Sequence, residues 1–298
     1  EGIVARASGR EEAAREAFTS ALDRLTELER GAGVEAAALL LEIGRSDAAL
    51  GDTEAAVAAL ERSLAVARAA VGERHPAVAV RLSALASVKI RRRELEPAFA
   101  LVLEARSIFE AAYGLEHPEI ARAMIYEAQI LKHEGELERA EGALARALAI
   151  DEGTIGEAPG TAAVILELVQ LHLERVEPEH ARPLLERARP IVVEAFGEES
   201  YEYGGVLRRE AWASLQEGDS AGAVGLLRRA VELLERPGAP PLEELAEARW
   251  HLAYALAEEG APRPEVDALA RQALEEFERA GPVFFRPRAA IERWLGRD

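Results

Sequence analysis

Three groups of residues in this chain have types that carry chemistry. Gly218-Asp219-Ser220-Ala221-Gly222 spells Gly-x-Ser-x-Gly. As a nucleophile elbow it needs a strand feeding a sharp turn that lifts the serine above a sheet. Six histidines are scattered at 75, 117, 133, 172, 180 and 251. No two lie three or four apart, the spacing that turns two imidazoles onto one metal from a single helix. His172 with Glu174 or Glu179 offers an imidazole and a carboxylate, but a solvated polar face accounts for these residues more simply. Carboxylate pairs such as Glu11-Glu12 and Glu243-Glu244 sit where first-turn residues complement a helix dipole. There is no cysteine, which excludes disulfides, thiolate zinc sites and cysteine nucleophiles. The expectation is a chain with no catalytic residue, no cofactor and no specific metal site.

Composition says what must position any site. Hydrophobic residues make up 49% of 298 residues, aromatics only 5% and charged residues 30%, so the apolar mass is Ala, Leu and Val. That is the profile of a chain that is helical nearly throughout. The formal charge of −18 disfavours phosphate backbones and anionic lipid, so neither nucleic acid nor membrane is an expected partner. No apolar run reaches the roughly 18 residues of a membrane span; the best, residues 161–173, carries Glu167. No signal peptide is evident at the start, so the expected location is the cytoplasm. The first residue is Glu, not Met, and the chain reads as a piece of something longer.

The organisation is repetitive. Gly-Glu-Arg-His-Pro at 72–76 recurs as Gly-Leu-Glu-His-Pro at 114–118, an offset of 42. The same step finds Gly31, Gly156, Gly197, Gly238 and Gly281. A second series interleaves: Gly51, Arg93, Gly135, Val176, Gly218, Gly260. A third holds small residues at Ala21, Ser63, Ala105, Ala147, Ala188, Ala230 and Ala273. Three series in one register mark a structural repeat. Between markers the stretches are amphipathic at helical spacing, as in Leu137, Ala140, Leu144, Ala147 and Leu148. Each period therefore reads as helix, turn, helix, longer turn. Pro76 and Pro118 suit first helical turns, with His75 and His117 as caps. Gly51-Asp52 and Gly218-Asp219 read as a helix stop followed by a capping Asp, which places Ser220 in an ordinary turn.

This pattern resembles the tetratricopeptide repeat, and in its length and Gly-x-x-His-Pro linker the 42-residue kinesin light chain type. The resemblance rests on small residues in the first helix (Gly44, Ala86, Ala128, Ala211, Ala253) and on the Gly-x-x-x-x-Ala start of the second. That start appears as Gly9 with Ala14, Gly51 with Ala56, Gly135 with Ala140 and Gly218 with Ala223. Departures are Val169 at a small position, Arg93 and Val176 at glycine positions, and a loose unit at 260–281. The resemblance implies an all-α solenoid of about 14 antiparallel helices in a right-handed superhelix. As a single array over 1–298 it has a half repeat at 1–30, full repeats near 31–71, 72–113, 114–155, 156–196, 197–237 and 238–280, and a terminal helix in 281–298. The missing half repeat implies an exposed apolar edge at the start. Residues 268–281 and 289–298 also look like the end of tetratricopeptide arrays attached to bacterial serine/threonine kinases, although the chain itself has no kinase signature.

The family's fold implies a groove lined by first helices. Counting from the small position places Leu41, Arg45, Ser83, Ser87, Ile125, Gln129, Leu166, Gln170, Arg208, Trp212, Leu215, Trp250 and Tyr254 inward, with Arg122, Tyr126 and Lys132 at the border and Arg209 beside Arg208. Trp, Tyr and Arg dominate binding hot spots. A protein or peptide is therefore the expected partner, in the form of an extended acidic peptide or an amphipathic helix. The competing reading is that Trp212 and Trp250 fill space between helices. With no Asn and only Lys89 and Lys132, a clamp for a C-terminal carboxylate is not expected. Pro183 and Pro190 inside a helix, with Gly204-Gly205 after them, predict a kink or curvature change between 180 and 206, or a helix that stops near Arg189 and restarts.

Overall fold

The structure, a computed structural model, describes residues 1–7, 10–28, 33–236 and 242–296. Among them are fifteen α-helices, one short 3-10 turn and no strand. Two helices lead, α1 (Gly2–Ala7) and α2 (Glu11–Glu27). Six pairs follow: α3 (Val34–Ala49) with α4 (Thr53–Val71), α5 (Pro76–Arg91) with α6 (Leu95–Tyr113), α7 (Pro118–Glu134) with α8 (Leu137–Thr154), α9 (Pro159–Glu174) with α10 (Pro178–Phe196), α11 (Tyr201–Gln216) with α12 (Ser220–Leu234), and α13 (Leu242–Glu258) with α14 (Arg263–Ala280). A 3-10 turn, Pro282–Phe284, leads into α15 (Phe285–Leu295). Gly9, Gly31 and Gly238 of the repeat lie outside the described residues. No helix among the described residues is long and apolar enough to cross a membrane.

The residues form two compact units, one running to Ala143 and the other starting at Leu144 within α8. In each, a helix packs on its sequence neighbours, and first helices of successive pairs also touch: α3 with α5 and α5 with α7 in the first unit, α9 with α11 and α11 with α13 in the second. That is the packing of a solenoid, where each repeat rests on the next. Ile3 and Val4 on α1 are largely exposed.

The local signals explain these elements. His75 Nδ1 accepts from the Ala77 N–H at 3.1 Å and His117 Nδ1 from the Glu119 N–H at 3.2 Å. Asp52 and Asp219 accept from the Ala55 and Gly222 N–H groups three residues on. Ser220 therefore begins a capped helix. Gly51, Gly135, Gly218 and Gly260 all turn through positive φ, and so do Arg93 and Val176, both at φ 60. The register holds there without glycine, at the expense of backbone strain.

The second unit's core explains two other departures. Val169 is fully buried with Ile165 and Leu173 of α9 against Leu185, Ala188 and Val192 of α10 and Val206 of α11. α10 neither stops nor restarts near Arg189; one unbroken helix holds both Pro183 and Pro190. Burial of its apolar stripe outweighs the lost backbone bonds, as packing commonly does for helices. Gly204 then lets α11 approach α12 closely: a Cβ there would stand 3.1 Å from Leu233 and Leu234.

Candidate functional site

In the second unit, α9, α11 and α13 bring several of the expected residues together. Arg208 on α11 is only 1% exposed. Its Nε donates to Glu244 at 2.8 Å, its Nη1 stands 2.7 Å from Glu247, and its Nη2 donates to Gln170 on α9 at 3.3 Å. Arg209 grips Glu244 with both terminal nitrogens, at 2.8 and 3.1 Å. Gly205, one turn before, makes room: a Cβ there would crowd Arg209 Nη1 at 3.3 Å and Glu244 at 3.5 Å. Gln170 also donates to Glu174 at 3.1 Å.

The electrostatics follow from this burial. Desolvation pushes the Glu244 carboxyl up, but the charges of Arg208 and Arg209 outweigh it and hold the group down at about 2. Glu247 is raised by burial, with repulsion from Glu244 added, against the pull of Arg208. Burial would lower the Arg208 pKa, yet Glu244 and Glu247 raise it. His251, next along α13, is driven down to about 3 by burial first and then by the Arg208 charge. Its Nδ1 is shut off from solvent and has no hydrogen-bond partner, so the ring is neutral.

Above these charges lie the aromatics. Trp212 stacks on His251 with centroids 4.9 Å apart. Trp250 meets Trp294 of α15 edge-on at 5.7 Å, and Tyr254 meets the same ring at 6.3 Å. Arg263 lies over Trp294, 5.7 Å from its centroid. Trp212 and Trp250 each rest one side on the core and keep part of the ring in solvent, while Tyr254 is 39% exposed.

One expectation is corrected. Arg208 was placed as a groove contact, but it is the buried centre of an ion-pair network. Its guanidinium and that of Arg209 are already matched by Glu244 and Glu247, which leaves an acidic ligand no unmet arginine at this spot. In the first unit the expected residues lie on α3 and α7. Arg45 is exposed and pairs with Glu42 at 2.9 Å on its own helix, and Arg122 is exposed and pairs with Glu119 at 2.9 Å. Tyr126 and Gln129 are half-buried on α7, Tyr126 against the α5–α6 core. Sequence reasoning missed Glu244, Glu247, His251 and Trp294. The signal available was a helical stripe at 244, 247 and 251, on the face of α13 that precedes the small position Ala253.

Residues 34–111 match the family model described as tetratricopeptide repeat. The matched stretch runs from α3 into α6. No curated protein matches the chain in sequence. Among solved structures, this chain resembles the apo form of RapI with a TM-score of 0.64 at 17% identity, over 98% of this chain and 96% of that one. It resembles the Rap conjugation gene regulator of the plasmid pLS20, in complex with the Phr* peptide, with a TM-score of 0.61 at 14% identity, over 87% and 75%. It also resembles nearly identical TPR-like repeats of a Podosopora anserina kinesin light chain, TM-score 0.51 at 21% identity, over 75% and 99%. At these identities the likeness is one of fold.

Proposed function

We propose that this chain is a non-catalytic interaction scaffold that binds a peptide or helix on the face of α9, α11 and α13. The observation that carries the reading is the set Trp212, Trp250 and Tyr254, rigid aromatic rings anchored on the core and open to solvent on one side. Such rings bury a large area at little entropic expense. Arg208 and Arg209 hold the floor beneath them, and Gln170 is a further contact on this reading; Arg45, Arg122, Tyr126 and Gln129 are contacts proposed for the first unit by itself. The occupant is an apolar or amphipathic segment more than an acidic one, because the nearby arginines are matched. On the same reading, 1–298 is one cytoplasmic array that recruits or regulates within a larger bacterial protein such as a serine/threonine kinase, as the layout of the last thirty residues suggests. Nucleic acid and membrane are not partners.

A peptide library panned on the protein tests this. Enriched sequences should bind wild type and lose affinity for Trp212→Ala and Tyr254→Ala proteins of unchanged helicity. No enrichment, or enrichment indifferent to both variants, removes the reading. A second reading is a sensor of a small molecule or signalling peptide. What favours it is the peptide bound to the pLS20 regulator, whose fold this chain shares. Small-angle scattering that changes when the enriched peptide is added supports the sensor; unchanged scattering supports the passive scaffold.

A further inference from the structure

The turn between α9 and α10 joins three metal-ligand side chains that helical spacing does not predict. His172 lies in the last turn of α9, Glu177 at the N-cap of α10 and His180 in the first turn of α10. His172 Nδ1 stands 3.0 Å from Glu177 Oε2, and His180 Nδ1 stands 3.8 Å from the same oxygen. One ligand atom from each residue lies within 4.8 Å of the other two, and the two rings are 5.3 Å apart. Ligands about 2.0–2.2 Å from a tetrahedral zinc stand roughly 3.3–3.6 Å from one another, so small side-chain rotations close the set.

Two observations separate this turn from an ordinary one. Glu177, like Glu94 at the start of α6, does not cap its helix with its side chain, whereas Asp52 and Asp219 at equivalent positions do, so its carboxylate is free to face the turn. Its Oε2 instead points at the two imidazoles, while Arg175 Nε fixes Oε1 at 3.1 Å. Orienting a ligand through its second oxygen is what outer partners do at metal sites. The second observation comes from the repeat. Two periods earlier the same turn holds Glu94 between Lys89 at 2.9 Å and Arg92 at 2.6 Å, with Arg93 at positive φ. Here Arg175, Val176 and Glu177 occupy the places of Arg92, Arg93 and Glu94. What changes is that His172 replaces Lys89 and His180 replaces Pro97. An ammonium with no lone pair and a ring with no donor atom have both given way to imidazoles. The period between, with Leu131 and Arg139 at these places, offers no such pair of ring nitrogens, so the two imidazoles on one carboxylate are particular to this turn among the three.

We propose that His172, Glu177 and His180 bind one divalent transition-metal ion of the zinc class, tying the end of α9 to the start of α10. Three protein ligands leave a fourth position for water or for a side chain of a docked partner. His180, 62% exposed, lies on the side from which the ion enters.

The test is titration of chelator-stripped protein with zinc chloride by calorimetry, with thermal melts alongside. Wild type should take up one zinc per chain and melt at a higher temperature with zinc present. His180→Ala, at an exposed position, should weaken uptake by roughly tenfold or more. His172→Lys recreates the Lys89–Glu94 pairing, so it should melt like stripped wild type and bind no zinc at this turn. His75→Ala should bind as wild type does. Absence of one-per-chain uptake, or uptake unchanged in both the His180→Ala and His172→Lys proteins, overturns the proposal.

Discussion

The Arg208 guanidinium on α11 stands 2.7 Å from the Glu247 carboxylate on α13, inside a protein where Arg208 is among the largest fully buried side chains. A buried charge is tolerable only when its partners are in place, and removal of one partner is far more damaging than removal of the pair. Glu244 and Glu247 are two, Arg208 and Arg209 are two, and the network joins successive repeats through α11 and α13. The aromatic face rests on this joint, since His251 bridges Trp212 above to the charges below.

Arg208→Met keeps the apolar bulk and removes the charge. It should cost about 3 kcal/mol in urea unfolding by leaving Glu247 without its partner. Adding Glu247→Gln should recover a large part of that loss. Equal destabilisation in the single and double variants would mean that the stem of Arg208, and not its charge, is what the joint needs.

The repeat and its turns were legible because each rests on a local rule. Gly218, Asp219 and the His-Pro pairs announce helix ends through chemistry confined to three or four residues. The site was less legible because its partners are far apart in sequence. Arg208 counts three residues before the small position of α11, but its burial depends on Glu244, 36 residues on, which by itself reads as a first-turn acid. His172, Glu177 and His180 meet across a turn, so no single-helix spacing reveals them. Pro183 and Pro190 do not stop the helix near Arg189, since a propensity penalty gave way to burial of Leu185 and Val192.

His251 makes the fold sensitive to acid. In the unfolded chain it takes up a proton near 6.5, and in the folded chain only near 3. As pH falls below 6.5 the unfolded state gains a proton that the folded state lacks, so stability drops by up to about 1.4 kcal/mol per pH unit from this group. His251→Gln should lose less stability than wild type between pH 7 and 4.5, a window above the usual carboxylate range. Parallel pH curves for the two proteins would show that His251 is readily protonated in place.

Val176 holds φ 60 with a β-branched side chain that is otherwise exposed. Left-handed backbone costs such a residue about 1–2 kcal/mol, and glycine is nearly free of that strain. Val176→Gly should therefore raise stability by roughly 0.5–1 kcal/mol after the added freedom of the unfolded chain is counted. Arg93→Gly should gain less, because its side chain is unbranched at Cβ. A destabilised Val176→Gly protein in thermal melts would show that the turn is not strained.

Glycine inside a helix has opposite consequences at two places in this chain. Gly44 sits mid-α3, where an added Cβ would stand 2.7 Å from Leu60 Cγ and 3.2 Å from the Ala56 carbonyl oxygen of α4. Gly225 sits mid-α12 and meets nothing within 4 Å. Alanine improves helix propensity by up to about 1 kcal/mol at either site. At Gly225 nothing opposes that gain, so Gly225→Ala should stabilise by most of it. At Gly44 the methyl must push α3 away from α4, an overpacking penalty of about 1–3 kcal/mol, so Gly44→Ala should destabilise overall. Urea unfolding of the two variants separates propensity from packing. Equal gains from both would mean that α3 and α4 have slack at their crossing, and that the small residue at this repeat position is not required by close contact.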